Sequence, residues 1–180
     1  MTINTGLMSS ASPVWGTPDD LFVEIDRQVG GFDLDVCALP SNAKCRKFYT
    51  PEIDGLSQDW IGRVWCNPPY GREIGRWVDH GMAAAADGAA SVVFLVPART
   101  DAKWFWRLRR ADVRLLPGRL RFVGADGVVS SAPFPSAVVL ARAGLPWHFA
   151  GVDWWDWRAD VAKRAAGQVA GGLRWMGGAI

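Results

Sequence analysis

The sequence predicts an α/β fold in which a small, mostly parallel sheet carries its functional loops at the carboxyl edge. Three observations predict it. Val64–Cys66 is an apolar run that stops at Asn67-Pro68-Pro69-Tyr70. Two adjacent prolines have no N–H to donate to a ladder, so a strand ends there and a rigid loop begins. Ser91–Val96 is a second apolar run, continuous as in a strand buried on both faces, and Pro97-Ala98-Arg99-Thr100-Asp101 follows it. Apolar residues at helical spacing lie between the two runs and before them. In open α/β sheets ligands bind at the carboxyl ends of strands, so both loops fall where function is expected.

The elements follow in order. Thr17 is a suitable N-cap, with Pro18 at the first helical position. Asp19–Val29 then shows Leu21, Phe22, Ile25 and Val29 at helical spacing, with acids in the first turn. Gly30-Gly31 ends that helix. Phe32–Ala38 reads as the first strand, with Asp35 near its carboxyl end. A carboxylate there accepts from a ligand's ammonium or hydroxyl groups, or is a strand carboxylate facing water. No Gly-x-Gly follows Asp35, so a generic glycine-rich cofactor loop is absent.

Lys47–Thr50 reads as a brief strand and Asp54-Gly55-Leu56 as a turn. Gly71–Asp87 carries Ile74, Trp77, Val78 and Met82 at helical spacing, closed by Gly88. Ala102–Arg110 is a second helix, basic and aromatic, with Trp104, Phe105 and Trp106. Val113–Leu116, Arg119–Val123 and Ser136–Ala141 read as strands, with a turn at Ala125-Asp126-Gly127. Together Val113–Ala141 predicts a mixed or antiparallel edge.

A chain of 180 residues buries one sizeable core, so one domain is expected. It divides into a polar, flexible lead-in (1–12), the main domain (13–143) and a C-terminal extension of the same domain (144–180). Hydrophobic content of 49% with 21% charged residues describes a soluble globular protein. The apolar runs are too short to span a bilayer, and the lead-in lacks signal-peptide character, so no membrane association is expected. Cys37, Cys45 and Cys66 form no disulfide framework and suggest a reducing compartment. His80 and His148 lie far in sequence from Cys37 and Cys45, and no metal is expected.

The net charge of +2 by itself does not predict nucleic-acid binding. Its distribution says more. From Arg99 to Arg121 stand Arg99, Lys103, Arg107, Arg109, Arg110, Arg114, Arg119 and Arg121, against Asp101 and Asp112. Such a stripe neutralises phosphates, or is an ordinary solvated face.

The proline loop carries the chemistry. Asn67 offers a side-chain carbonyl, Pro68 a backbone carbonyl of set direction, and Tyr70 a flat face for stacking. These suit a planar ligand with an exocyclic amino group. Asn-Pro-Pro-Tyr resembles the catalytic loop of S-adenosylmethionine-dependent amino methyltransferases. Trp15-Gly16-Thr17-Pro18, Phe32–Ala38, Asn42-Ala43-Lys44-Cys45, Phe48-Tyr49-Thr50 and Asp54-Gly55-Leu56 precede it in order. Leu95–Asp101 and Gly118–Phe122 follow it. The series, over roughly residues 13–141, resembles the phage-type, Dam-like DNA N-6-adenine methyltransferases.

That resemblance implies a reduced, single-domain Rossmann-like methyltransferase sheet. It implies a catalytic loop of Asn67, Pro68, Pro69 and Tyr70, acting on adenine flipped out of double-stranded DNA. S-adenosyl-L-methionine would lie against Trp15, Thr17, Pro18, Asp35, Cys37, Ala38, Asp54, Leu56 and Asn67. Arg99, Lys103, Arg119 and Arg121 are the candidates for DNA contact, to phosphate or to guanine. A phage or prophage protein acting in the cytoplasm of a bacterial host is implied, with the oligomeric state and recognition sequence open. The tryptophans Trp147, Trp154, Trp155, Trp157 and Trp175 cover the sheet or contact DNA.

Cys66 invites comparison with the cysteine nucleophile of cytosine carbon methylation. That nucleophile follows a proline, whereas Cys66 precedes Asn67-Pro68 at the end of a strand, which reads as a packed core thiol. Two other functions remain open: methylation of an RNA adenine or a protein glutamine, and a nucleic-acid-binding module without catalysis.

Overall fold

The computed structural model describes residues 16–123, 129–143 and 151–168. Along them run α1 (Asp19–Val29), β1 (Leu34–Asp35), β2 (Gly62–Cys66), α2 (Ile74–Ala86), β3 (Ala90–Pro97) and α3 (Lys103–Arg107). Then come β4 (Asp112–Leu115), β5 (Arg121–Val123), β6 (Val129–Ser131), β7 (Ser136–Ala141), β8 (Val152–Trp154) and α4 (Trp157–Ala165).

Six strands form one sheet in the order β1-β2-β3-β7-β4-β8, and β5 pairs with β6 as a separate hairpin. β1, β2 and β3 are parallel, as are β4 and β8, and β7 runs antiparallel between β3 and β4. Five of the six strands therefore point one way. The carboxyl ends of β1, β2, β3 and β4 share one edge.

Strand alternation sorts the core into two layers. Val64, Cys66, Val92, Phe94 and Val96 face α2 and α3, meeting Ile74, Trp77, Val78, Trp104 and Phe105. Trp65, Val93 and Leu95 face the other way, meeting Leu21, Phe22 and Ile25 of α1, Leu120, and Phe122 of the hairpin. The result is the expected Rossmann-like α/β methyltransferase architecture. The mixed part of the sheet is its β7-β4-β8 half.

Several elements are shorter than the sequence suggests. The strand expected over Phe32–Ala38 is β1 alone, because Asp35 turns the chain. Its carboxylate accepts from the backbone N–H of Cys37 at 3.2 Å and of Lys44 at 3.0 Å. The strand expected at Lys47–Thr50 is one parallel bridge, Asp35 to Phe48. The helix expected over Gly71–Asp87 is α2, which begins at Ile74. α3 tightens into a 3-10 turn over Leu108–Arg110. β8 was not legible as a strand.

Pro18, not Thr17, occupies the cap of α1. Its ψ of 133° is extended, which leaves the helix to begin at Asp19 and turns Thr17 toward the sheet. Gly30 closes α1 at φ 80°, a conformation that glycine adopts without steric cost. The lead-in (1–12), Trp15, the turn expected at Ala125-Asp126-Gly127, Trp147 and Trp175 lie outside the described residues.

Candidate active site

β2 delivers the loop. Cys66 is fully buried at its end, and Pro68 and Pro69 then remove the donors that would continue it. Asn67 emerges at the carboxyl edge, held by both its neighbours. Its amide Nδ2 donates to the Thr17 hydroxyl at 3.1 Å, and its Oδ1 accepts from the Tyr70 hydroxyl at 2.8 Å. The Tyr70 hydroxyl also lies 3.1 Å from the Leu95 carbonyl, so one proton serves two acceptors. Thr17 is only 4% exposed, which keeps water from competing for the Asn67 amide.

Tyr70 is turned inward at its hydroxyl end. Its ring stands edge-on to Phe122 (5.3 Å to Phe134 and 6.1 Å to Phe122 between centroids) and to Phe134. Burial pushes its hydroxyl well above the usual tyrosine range, so it stays a neutral donor.

Beside Asn67, on the α2 face, lies a largely apolar cavity of about 330 Å³. Cys37, Ala38, Tyr49, Asp54, Pro69 and Trp77 are among its walls. Gly55 closes it tightly: a Cβ there would meet the Val36 carbonyl at 2.2 Å and the Trp77 ring at 3.2 Å. Asp54 stands exposed at the rim with φ 53°, its carboxylate accepting from Leu56 N–H at 3.2 Å.

Three of the expected cofactor residues, Cys37, Ala38 and Asp54, therefore line one cavity. Asp35 lies beneath it, 2% exposed. Burial raises its pKa, while the Lys44 and Cys37 N–H groups and the Lys44 charge oppose the shift. Its carboxylate holds the 37–44 loop in place. Leu56 packs against the α2-face core instead of lining the cavity. Thr17 and Pro18 sit on the far side of Asn67, on the α1 face. Tyr49 and Trp77 are walls that the residue-by-residue reading missed. Tyr49 stood within a quoted motif, and Trp77 carried only the signal of a buried helix position.

The basic stripe does not survive folding as one surface. Arg114 is buried and pairs with Asp112 at 3.5 Å. Arg107 pairs with Asp79. Arg109 and Arg110 lie before β4, at the amino edge, in a groove with Arg142. Arg99, Lys103, Arg119 and Arg121 are exposed. Arg99 and Arg119 follow β3 and β4 on the same edge as Asn67. Cys37, Cys45 and Cys66 are free thiols, and no helix among the described residues is long and apolar enough to cross a membrane.

This arrangement can present fixed carbonyl and amide groups to a planar amine beside an apolar cavity. Comparison with known proteins agrees. The family model described as DNA N-6-adenine-methyltransferase (Dam) matches residues 4–145. A DNA N-6-adenine-methyltransferase of Haemophilus phage HP1 is 33% identical over 107 residues, 58% of this chain and 61% of that protein. One of Escherichia phage T1 is 30% identical over 118 residues, 62% of this chain and 47% of that protein. A putative methyltransferase, YfdM, of Escherichia coli K12 is 40% identical over 63 residues, 31% of this chain and 69% of that protein. The matched segments thus span 61% and 47% of the two phage relatives. With most of its length matched by the family model and the Asn-Pro-Pro-Tyr loop at the carboxyl edge of its sheet, the chain belongs to the DNA N-6-adenine-methyltransferase (Dam) family.

Proposed function

We propose that the chain transfers a methyl group from S-adenosyl-L-methionine to the exocyclic N6 amine of adenine in DNA. The observation that carries this reading is the Asn67 amide, fixed between Thr17 and Tyr70 beside a cavity that Pro69 helps to line. The relatives' names and the family model support the same reading.

The cavity fits the donor's adenosine part. Its walls are apolar and aromatic, and Asp54 offers an acceptor at the rim for an amino group. Cys37, Ala38, Asp54 and Pro69 would hold it, with Asp35 fixing the loop beneath. When bound, the donor supplies an electrophilic methyl on a sulfonium.

The rest falls to the chain. The adenine amine is a poor nucleophile, because its lone pair is delocalised into the ring. The Asn67 side-chain oxygen and the Pro68 carbonyl would accept hydrogen bonds from it and stabilise the positive charge that develops on nitrogen, until the surplus proton passes to water. Holding amine and methyl in line supplies much of the remaining acceleration. Tyr70 positions Asn67 through its hydroxyl and presents the uncovered part of its half-buried ring to the target base. In duplex DNA the base must leave the stack first. Arg99, Lys103, Arg119 and Arg121 contact the DNA backbone or guanine edges. The setting is the cytoplasm of a bacterial host.

The test is transfer of labelled methyl to unmethylated duplex DNA, RNA or protein extract, with nucleoside analysis of the product. N-6-methyladenine in DNA is expected, and Asn67→Ala should lose transfer while still binding donor and DNA. Label in RNA or protein instead would replace the substrate. No transfer and no donor binding would reduce the chain to a binding module.

A further inference from the structure

The family match ends at residue 145, yet the described residues beyond it, 151–168, pack into the fold. Trp155 and Trp157 are 5% and 3% exposed and pack in the same layer as Leu21, Phe22 and Leu120. Trp155 Nε1 donates to Asp160 at 2.9 Å. Arg164 of α4 donates its Nε to Glu24 of α1 at 2.8 Å. These contacts set α4 against α1, beside the β5–β6 hairpin.

Between α1, the hairpin and α4 lies a second cavity of about 340 Å³. Pro18, Asp20, Arg121, Val129, Trp157 and Arg158 are among the residues that line it. Its place is specific. Pro18 follows Thr17, which holds Asn67. Arg121 precedes Phe122 in β5, so its side chain takes the face of the hairpin opposite the one that meets Tyr70. Through Pro18 the cavity lies next to Thr17 on the α1 face, whereas the cavity lined by Cys37 and Trp77 lies on the α2 face.

Its chemistry is mixed in an informative way. The Arg158 guanidinium donates to the carbonyls of Pro117 at 3.0 Å and Arg119 at 3.3 Å. It also stacks on the Trp157 ring at 4.7 Å. Two of its five N–H donors are thereby anchored, which sets the plane of the fork. Arg121 adds a second cation at the cavity. Asp20 offers a carboxylate, and Pro18, Val129 and Trp157 offer apolar surface. A fixed guanidinium for phosphate, apolar walls for a ring and a carboxylate for an amino group together describe one nucleotide.

We infer that this cavity, walled by the C-terminal segment outside the family match, binds a nucleotide of the DNA strand next to the target adenine. Arg158 and Arg121 take its phosphate and Asp20 meets a base amino group. The inference rests on the proposed reaction and gives residues 151–168 a part in holding the substrate.

The test uses the full chain and a fluorescent, unmethylated, adenine-containing duplex, with anisotropy read at several salt concentrations. Arg158→Ala should weaken DNA binding about tenfold. It should also reduce the slope of log K against log salt by about 0.9, the loss of one phosphate contact on B-DNA. Val129→Trp fills the cavity from an exposed hairpin position, leaves Arg158 in place, and should weaken binding to a similar degree. Both should bind S-adenosylmethionine as the wild type does. Wild-type DNA affinity and salt slope in both folded variants would overturn the inference. Failure of the proposed reaction looks different, since the wild-type protein itself would then transfer no methyl to DNA.

Discussion

The amide nitrogen of Asn67 donates to the hydroxyl of Thr17 at 3.1 Å, joining the catalytic-loop candidate to a residue fifty positions earlier. Thr17 is buried, and it was expected to cap α1 and to touch the cofactor. Its position makes it a positioning residue for Asn67. With Thr17 and Tyr70 on either side, the amide plane is set before any substrate arrives.

Thr17→Val keeps the shape and removes the acceptor. Methyl transfer should fall about tenfold in kcat, which is ~1.4 kcal/mol and in the range of one hydrogen bond. KM for DNA and affinity for the donor should hold. Thr17→Ser should restore most of the rate. Steady-state methyl transfer with a separate donor titration checks this, and an unchanged kcat would remove Thr17 from the site.

Gly55→Ala places a methyl group 2.2 Å from the Val36 carbonyl. Either the 3-10 turn over Gly55–Ser57 or the loop after β1 must move, and both bear on the cavity lined by Cys37 and Asp54. Overpacking of this kind costs about 1–3 kcal/mol. Urea denaturation should show that loss, and a donor titration should show weakened binding alongside it.

Glu24 predicts an acid-sensitive contact between α1 and α4. It is 3% exposed, and burial alone would raise its pKa. Hydrogen bonds from Arg164, Gln28 and Arg27 outweigh burial and hold it below its ordinary value of 4.5. A lowered native pKa means that the folded state binds the proton more weakly than the unfolded state. Its stabilisation is therefore complete above pH 4.5 and lost as pH falls through that value toward the native pKa. Glu24→Gln should cost about 1.5–3 kcal/mol at neutral pH and flatten this part of the acid limb. Thermal melts of both proteins from neutral to acid pH test it.

Cys66→Ala should leave methyl transfer intact and cost about 1 kcal/mol of stability. Cys66 is fully buried, and burial pushes its thiol well above the usual range. Burial and the Asp35 charge likewise push Cys37 up to about 12, and Cys45 to about 12 with Asp26 and Asp33 adding to the effect. None is a thiolate at neutral pH, so iodoacetamide should label the folded protein slowly. Loss of transfer in a folded, donor-binding Cys66→Ala protein would reopen a covalent cysteine route.

Local signals made the order of elements readable. Helical spacing in Asp19–Val29 and Ile74–Ala86, the apolar run of β3 and the proline stop after Cys66 each depend on residues a few positions apart. Such signals are set by backbone sterics and side-chain period, which the sequence carries directly. The Asn67–Tyr70 loop was legible for the same reason, and the motifs had named Cys37, Ala38 and Asp54, which the fold gathers around one cavity. Contacts between distant segments were not. Thr17 holding Asn67, Tyr70 turned to Leu95, Arg114 buried on Asp112, and α4 clasped to Glu24 each join residues whose meeting depends on how the sheet is layered. By itself the sequence determined an α/β chain with a rigid proline loop, the candidate for amine binding, at a strand end. Only the tertiary structure decided which side chains hold that loop and which arginines reach its edge, because β7 turns back between β3 and β4 and redistributes a linear basic stripe over two edges of the sheet.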